Sequence, residues 1–470
     1  MQTYQQQWFG NIRGDLLSGI VVALALIPEA LAFAIIAGVD PMVSLYASFC
    51  IAVIVAIFGG RPAMISAATG AMALVIMPLM KEYGLDYLLA TTILTGIIQI
   101  LFGILKIAKL LRFIPNAVMI GFVNALAILM FMAQVPQILG DGMMTYIFVG
   151  VTLFIVYVVP RFLKAIPAPL IAIVVLTGIA IVNGFELKTV GDLGTISNSL
   201  PSFFLPQIPL TLETLRIIFP YSVALAIVGL LESLMTATIL DEMTDTKSDK
   251  NKEARGQGLA NFITGFFGGM AGCAMIGQSV INVRSGGRGR LSTFMAGAFL
   301  MFLIIVLGDL VVQIPMAVLV GIMIAVCIST FDWGSFNYMI TAPKADVFVM
   351  LLTVATVVWT HNLAIGVILG VLISAIIFVA KISKINVSVS ENVYSIEGPL
   401  FFASTDHFQK ALENVDAPKI LLDFSNSHLW DESAVGSLLK VVAKLEAQGT
   451  EVEVRGLNTL STKLYKQYLG

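Results

Sequence analysis

Residues 20–38 read IVVALALIPEALAFAIIAG, nineteen residues with a single ionisable side chain, Glu29. A helix needs about 20 mainly apolar residues to cross the hydrocarbon core of a bilayer. This run is therefore almost long enough to form a transmembrane helix. A charged side chain near mid-membrane costs about 2.5–3.5 kcal/mol on insertion scales and usually serves a function. The run predicts a membrane protein with a functional acid in its first span.

The composition of the whole chain supports this class. Of its 470 residues, 58% are hydrophobic and only 12% are charged, whereas soluble domains carry about 25% charged residues. The polar start, residues 1–8, and the lack of a small-residue cleavage site indicate that the first span is not a removed signal peptide. The net charge of −2 points to no particular partner, and we expect no nucleic-acid partner.

The three cysteines, Cys50, Cys273 and Cys327, all lie inside apolar runs. We interpret them as buried thiols rather than disulfides, and their spacing is not that of a metal site. No sequence motif indicates a cofactor or an enzyme, so we expect neither.

The hydropathy pattern predicts fourteen membrane segments, some of them short, joined by mostly short loops. Their approximate positions are 14–37, 43–58, 64–80, 85–107, 113–136, 144–160, 167–183, 217–240, 256–270, 274–283, 291–308, 313–330, 346–360 and 362–380. The first 384 residues contain twenty Lys and Arg, and this topology with a cytoplasmic N-terminus puts all of them inside except Lys81, Lys188 and Arg216. Positive charge in short loops marks the cytoplasmic side, so the distribution supports the fourteen segments.

Two predicted segments are too short or too interrupted to cross as ordinary helices. The third contains Ser66, Thr69 and Gly70, and the tenth follows the glycine-rich stretch 268–275. They are seven segments apart, an odd number, so two seven-segment halves (about 12–183 and 215–382) would have opposite orientations. Paired broken helices in inverted halves indicate a transport site at mid-membrane, and their N-terminal ends suit an anion. The alternative is that these glycines only allow close helix packing.

A second acid, Glu232, lies in the apolar eighth segment, at a place equivalent to Glu29 in the first. Burial in an apolar helix favours the neutral carboxyl, so each acid is a candidate for coupling to a proton. Thr236 follows Glu232 by one turn, and their oxygens together could hold a sodium ion or a proton. The alternative role for each acid is a structural hydrogen bond to a neighbouring helix.

The composition changes after Lys384, and residues 385–470 predict a small cytosolic α/β domain. Residues 420–424 are typical of a buried strand, 434–448 have helical spacing, and 451–454 alternate like a half-buried strand. No phosphate-binding loop, Cys/His cluster or Ser/His/Asp set is visible there. A regulatory or docking module therefore fits better than an enzyme.

Several motifs in order resemble the sulfate permease (SulP) family, bacterial relatives of the animal anion transporters prestin and pendrin. The resemblance covers nearly the whole chain. Its motifs are RGDLLSG (13–19), IPEALAFA (27–34), QGLAN (257–261), GFFGG (265–269) and SGGRGRLS (285–292). The tail resembles a STAS domain through DFS (423–425) and DESA (431–434).

This resemblance implies an α-helical membrane domain (1–384) of seven plus seven inverted segments, divided into core and gate domains, and a cytosolic STAS domain (385–470). It implies a homodimer in the cell membrane with both termini in the cytoplasm, and a possible cytosolic partner at the STAS domain. It implies that substrate lies between the third and tenth half-helices and that the coupling cation lies near the acids. On this chain those residues are Ala67, Ala68, Thr69, Gly70, Ala274, Met275, Ile276, Gly277 and Gln278 for substrate, and Glu29, Glu232 and Thr236 for the cation.

The sequence departs from the family pattern in the membrane domain. Many members have glutamine where this chain has Glu29, and several have arginine where it has Gln278. The missing arginine weakens the case for a strongly bound divalent anion.

In sporulation regulators with a STAS domain, the position of Ser433 is phosphorylated, so this residue is a candidate phosphosite.

The sequence thus predicts secondary active transport of a small anion such as sulfate, bicarbonate or a dicarboxylate, with a proton or sodium ion entering alongside. One alternative is a nucleobase–proton symporter of the same architecture, against which the STAS tail argues. Another is a membrane-anchored regulatory or scaffold protein. An uncoupled channel is a further alternative, against which the two membrane acids argue.

Overall fold

The computed structural model describes residues 3–107, 114–139, 142–163, 166–194, 196–415 and 417–468. The chain divides into two compact units, Met1–Gly370 and Val371–Gly470, which we describe separately. The predicted division of the chain after Lys384 stays a prediction. Three of the basic residues used in the topology argument, Lys109, Arg112 and Lys164, lie outside the described residues.

The first half of unit one is a series of helices with one very short strand. These elements are α1 (Tyr4–Phe9), α2 (Ile12–Ala37), α3 (Pro41–Phe58), β1 (Ser66–Ala67), α4 (Gly70–Tyr83), α5 (Leu85–Ile104), α6 (Asn116–Ile138), α7 (Met143–Val158) and α8 (Ala168–Asn183). Local sequence sets several of their ends. Asp40 caps α3 by accepting a hydrogen bond from the Met42 amide at 2.8 Å, and Gly38 ends α2 with φ of 69°.

The second half repeats the pattern of helices around one short strand. Its elements are α9 (Leu212–Thr244), α10 (Lys250–Phe266), β2 (Cys273–Ala274), α11 (Ile276–Arg284), α12 (Arg290–Val311), α13 (Met316–Thr330), α14 (Ser335–Thr341), α15 (Lys344–Thr360) and α16 (Leu363–Ile382). α16 continues across the division between the two units.

Many of these helices suit a membrane. In the described part of the chain, nine helical stretches are long and apolar enough to cross a bilayer: Ile12–Ala37, Pro41–Phe58, Leu85–Ile104, Asn116–Ile138, Met143–Arg161, Leu212–Thr244, Arg290–Val311, Met316–Thr341 and Leu363–Ile382. Ala168–Asn183 is a shorter apolar helix. The predicted α-helical membrane protein is therefore confirmed, while fourteen crossings in two inverted halves stay a prediction.

The two predicted broken segments are short helices, each preceded by a two-residue strand. β1 and β2 pair antiparallel, with Ser66 opposite Ala274 and Ala67 opposite Cys273. The backbones are very close here, because a Cβ atom at Gly272 would lie 2.1 Å from the Ala67 carbonyl oxygen. Only glycine fits at that position, so the glycine-rich stretch before the tenth segment has a direct structural cause.

Polar side chains connect the helices around this strand pair. The Asn261 side chain of α10 donates to Gln99 Oε1 of α5 at 2.8 Å and to the Gly272 carbonyl at 3.0 Å. Its own oxygen accepts from the Gly272 amide at 2.9 Å. Since unsatisfied polar groups are costly in an apolar interior, this network fixes the chain just before β2.

The second unit is an α/β domain with its own core. Its elements are β3 (Asn386–Ser390), β4 (Val393–Leu400), α17 (Thr405–Ala411), β5 (Lys419–Leu429), α18 (Glu432–Ala447), β6 (Glu451–Arg455) and α19 (Thr459–Tyr468). The strand order is β3-β4-β5-β6, with β3 antiparallel to β4 and the other pairs parallel. Phe408, Phe424 and Leu438 are completely buried in its core. The predicted strand–helix–strand order of the tail is confirmed.

Candidate functional site

The helices α4 and α11 begin close to the paired strands. α4 starts at Gly70, three residues after β1, and α11 starts at Ile276, two residues after β2. Because β1 and β2 are antiparallel neighbours, the N-termini of both helices lie beside the same strand pair. The first N–H groups of a helix have no partner within it, so two sets of backbone donors converge on this point.

A cavity of about 210 Å³ lies at these helix ends. This volume is below the roughly 300–1,000 Å³ typical of pockets for drug-sized ligands, and suits a small solute. Its polar lining comes from both broken segments, from both predicted acids, and from Ser329 and Thr330 of α13. Its lining residues are Glu29, Phe33, Thr69, Gly70, Ala71, Phe122, Val123, Leu126, Met130, Glu232, Met235, Met275, Ile276, Gly277, Gln278, Ile281, Val326, Ser329 and Thr330.

The charge pattern of this cavity is unusual. It contains two carboxyl groups, Glu29 and Glu232, and no lysine, arginine or histidine among its described lining residues. The positive field therefore comes from backbone, since each helix N-terminus acts as roughly half a unit of positive charge. The cavity therefore offers helix N-termini to an anion and carboxyl groups to a cation.

The helix ends differ in how their N–H groups are satisfied. Thr69 is the N-cap of α4, and its hydroxyl oxygen accepts from the Met72 amide at 3.4 Å. Met275, the N-cap of α11, makes no side-chain cap hydrogen bond. The first N–H groups of α11 are therefore left for a ligand or for water, and the Thr69 hydroxyl is an additional side-chain donor at the other helix end.

Glu232 has a hydrogen-bonded neighbour that the sequence did not reveal. The thiol of Cys273 donates to Glu232 Oε2 at 2.9 Å, and the same sulfur lies 3.1 Å from the Thr69 hydroxyl oxygen. Cys273 is fully buried. Its place directly before the tenth segment was the only sequence signal for this role.

The two other side chains near the acids are Thr236 and Gln278. The Thr236 hydroxyl donates to the backbone carbonyl of Glu232 at 2.7 Å, and this residue does not line the cavity. Glu29 follows Pro28 in α2, and its carboxyl group interacts with the side chain of Gln278. Gln278, on α11, thus connects the first-span acid to a broken helix.

The structure brings most of the predicted site residues together. Eight of them line the cavity: Glu29, Thr69, Gly70, Glu232, Met275, Ile276, Gly277 and Gln278. Ala67, Ala68 and Ala274 are buried in or beside the strand pair and do not line it. Ser433 lies in the second unit, exposed near the start of α18. The apolar wall from α2 and α6, which includes Phe33 and Phe122, was not predicted.

Comparison with known proteins identifies the family. The family model described as "Sulfate permease family" matches residues 12–147 and 141–353. The chain belongs to the sulfate permease family. A second model, the STAS domain, matches residues 384–463. The resemblance inferred from the motifs is therefore confirmed for both parts of the chain.

Relatives named as transporters match over most of the chain. It is 60% identical to the "Putative sulfate transporter YbaR" of Bacillus subtilis (strain 168), over 99% of this chain and 98% of that protein. It is 29% identical to the "Bicarbonate transporter BicA" of Picosynechococcus sp., over 84% of this chain and 75% of that protein. These names support anion transport as the general function of this family member.

Solved structures agree with the fold. The transmembrane domain of a cyanobacterial bicarbonate transporter, BicA, matches with a TM-score of 0.70 and 27% identity, over 77% of this chain and 98% of that one. The murine anion transporter Slc26a9, in its inward-facing state, matches with a TM-score of 0.85 and 18% identity, over 98% of this chain and 88% of that one. The second likeness covers the folds of both units of the chain.

Proposed function

We propose that this protein is a secondary active transporter that carries a small inorganic or carboxylate anion across the cell membrane together with a proton or a sodium ion. The observation that carries the proposal is the single cavity that contains both half-helix N-termini and both membrane acids. Anion binding and cation binding at such a short range are thermodynamically linked, because each ligand changes the affinity for the other by the same factor.

The anion would lie between the starts of α4 and α11. Backbone N–H groups at Gly70 and at Ile276 to Gln278 lie at helix positions without an intrahelical acceptor. The Thr69 hydroxyl adds one donor. Such ends bind anions through both the N–H groups and the helix dipole, so no cationic side chain is required.

The substrate class follows from size and charge. Sulfate, bicarbonate and dicarboxylates are the candidates. Gln278 stands where several family members have arginine, and no cationic side chain among the described residues replaces that charge in the cavity. A monovalent oxyanion such as bicarbonate needs less positive charge around it than divalent sulfate, and therefore suits this cavity better. Sulfate remains a candidate, because the relative that is 60% identical is named "Putative sulfate transporter YbaR".

The coupling cation would neutralise Glu29 or Glu232. An ionised carboxylate in this cavity repels an anion, and the repulsion is strong because the surroundings have a low dielectric constant. A proton or a sodium ion at the acid removes the repulsion. We favour the proton, because the side chains around Glu232 are a thiol and an already engaged threonine, whereas sodium prefers several oxygen ligands.

The proposal includes a transport cycle and an assembly. Alternating access would expose the cavity to each side in turn, in a chain with both termini in the cytoplasm. A homodimer, and a cytosolic partner at the STAS domain, are proposals from the family resemblance. The exposed Ser433, beside the α18 N-cap Asp431, stays a predicted phosphosite.

The test is uptake of radiolabelled solutes by proteoliposomes that contain the purified protein. Sulfate, bicarbonate, a dicarboxylate and uracil should be compared, with protein-free liposomes as the control. We expect saturable uptake of at least one anion and none of uracil. Uptake of uracil alone would favour the nucleobase symporter, which none of the relatives named above supports. No uptake of any solute by folded protein would favour the regulatory or scaffold role.

A further inference from the structure

We propose that Thr69, Cys273 and Glu232 form a hydrogen-bonded relay whose direction reverses when Glu232 is neutralised. In this relay, whether Glu232 is ionised or neutralised determines whether the Thr69 hydroxyl group can donate a hydrogen bond to the anion. The inference rests on the proposed function, since it gives the coupling between cation and anion a structural path. It assigns Cys273 the role of a positioning residue.

The geometry of the three side chains supports the relay. The Cys273 sulfur lies 2.9 Å from Glu232 Oε2 and 3.1 Å from the Thr69 hydroxyl oxygen. Thr69 and Glu232 line the cavity, whereas Cys273 lies behind it and is fully buried. A thiol has a single proton, so Cys273 can donate to only one of its two neighbours. The direction of one hydrogen bond therefore sets the direction of the other.

The relay has one arrangement when Glu232 is ionised. A carboxylate only accepts hydrogen bonds, so the Cys273 thiol donates to Oε2. The sulfur is then free only as an acceptor, and the Thr69 hydroxyl donates to it across 3.1 Å. The hydroxyl hydrogen then points towards the sulfur and away from the cavity, and the Thr69 oxygen, which also accepts from the Met72 amide, has no hydrogen to donate to an anion. This arrangement disfavours an anion.

The arrangement reverses when a proton binds Glu232. The new carboxylic O–H donates to the Cys273 sulfur, and the thiol proton rotates towards the Thr69 oxygen. The Thr69 hydroxyl hydrogen is released and can donate to an anion in the cavity. Only the proton taken up by Glu232 enters the site, and the other two protons stay on their own atoms. A sodium ion on Oε2 would likewise weaken that oxygen as an acceptor for the thiol.

Few other side chains near Glu232 could change the charge or the hydrogen bonds of its carboxyl group. The Thr236 hydroxyl donates to the Glu232 backbone carbonyl and not to its carboxyl group. Among the described residues, Glu29 is the other titratable side chain of the cavity. The elements packed against α9 carry charged groups in their terminal turns, including Lys81 in α4, Asp86 in α5, Glu253 in α10 and Arg284 in α11. Arg255, in the second turn of α10, is exposed.

The relay can be tested by anion uptake at several pH values and sodium concentrations in wild type, Cys273→Ser and Cys273→Ala. Cys50→Ala, which removes another buried thiol on α3, is the matched control. We expect KM for the anion to fall about tenfold in wild type when the coupling cation is abundant. Serine keeps a donor and an acceptor, so Cys273→Ser should retain this dependence, as should Cys50→Ala.

Cys273→Ala should weaken the dependence of KM on the cation to about threefold or less. Without the sulfur, the Thr69 hydroxyl faces the cavity in both states, and only the through-space effect of the acid remains. A Cys273→Ala variant with the full wild-type dependence would overturn the relay while leaving the proposed transport intact. A wild-type KM that ignores both cations would overturn the coupling itself and the relay with it.

A second measurement needs no transport and keeps Cys273 in place. In a protein with Cys50 and Cys327 replaced by alanine, Cys273 provides the only S–H stretching band in the infrared spectrum. We expect this band to shift between alkaline and acidic buffer, because the thiol changes its acceptor from a carboxylate to a hydroxyl oxygen. The shift should disappear when Glu232→Gln is added. A band that does not move with pH, or that moves equally with Glu232→Gln, would overturn the relay.

Discussion

Ser66 and Ala274 lie opposite each other in a two-residue antiparallel strand pair, although the whole length of seven predicted segments separates them in sequence. The Ala274 amide also donates to the Ser233 hydroxyl of α9 at 3.0 Å. This pairing connects the two broken segments to the helix that carries Glu232. The geometry of the cavity therefore depends on backbone contacts as much as on its lining side chains.

Gly272→Ala is expected to disrupt the strand pair. The added Cβ would lie 2.1 Å from the Ala67 carbonyl oxygen, so the strands must separate. Overpacking of this kind costs about 1–3 kcal/mol, and we expect a lower thermal midpoint in detergent and a loss of uptake. Gly178→Ala on α8 is the control, since nothing lies within 4 Å of its added Cβ. Equal thermal midpoints for the two variants would contradict the prediction.

Thr69→Val is expected to raise KM for the anion about threefold to tenfold, the effect of losing one hydrogen bond. Valine has nearly the shape of threonine but no hydroxyl group. Thr69→Ser should keep the KM of the wild type. Thr92→Val on α5 is the control, because its buried hydroxyl donates to the Leu88 carbonyl at 3.0 Å and does not line the cavity. An unchanged KM in Thr69→Val would remove Thr69 from the site.

Much of this site was predictable because its signals are local. A carboxyl group such as Glu29 or Glu232 is conspicuous in an apolar helix, and the closely spaced glycines 268, 269 and 272 mark an interruption in a hydrophobic segment. Both signals depend on a few neighbouring residues. One cavity is lined by the two acids and by residues of the two broken segments, while their roles in transport stay a prediction.

The contacts between distant segments were not predictable in the same way. The hydrogen bond between Cys273 and Glu232 joins residues that are 41 positions apart, and it depends on how α9 packs against β2. Hydrophobic periodicity reports which residues are buried, not which buried residue meets which. For the same reason Cys273 was interpreted only as a buried thiol, and Phe122 was not assigned to the cavity wall.

The stability of the STAS domain is expected to fall in acid through Asp423. Its carboxylate accepts from the Ser425 hydroxyl at 2.6 Å and amide at 2.9 Å, and pairs with Arg455 at 3.0 Å. The Ser425 hydrogen bonds, with Arg455, hold the pKa of Asp423 below its usual value. A depressed folded pKa gives stability that is present above the unfolded pKa, about 3.9, and is lost as the pH falls through the folded value.

The measurement is the thermal midpoint of segment 385–470 between pH 7 and pH 2. Asp423→Asn should lower the midpoint at pH 7 and flatten its decline below about pH 4. Asp406→Asn is the control, because its ion pair with Lys410 is about 70% exposed on both sides, and exposed pairs contribute little. If both variants keep the wild-type acid profile, Asp423 does not contribute in this way.

Removal of residues 390–470 is expected to change the amount or rate of transport but not the order of substrate preference. The cavity is lined entirely by residues of the first unit, and no catalytic set is visible in the tail. Uptake of each anion should be measured per molecule of protein in the membrane, for the full chain and the truncated chain. A changed order of substrates would show that the tail takes part in selection.

Glu29→Gln and Glu232→Gln are expected to uncouple anion uptake from the cation gradient. Each variant fixes one acid in a neutral form, so the anion no longer needs a proton or a sodium ion to relieve the repulsion. Uptake should be measured against imposed pH and sodium gradients in wild type and both variants. Glu213→Gln is the control, since Glu213 is an exposed acid in the first turn of the same helix as Glu232. We expect a pH gradient to accelerate uptake in wild type and in this control, and to lose its effect in at least one cavity variant. If uptake in wild type and both cavity variants ignores both gradients, coupling is absent and facilitated diffusion describes the protein better.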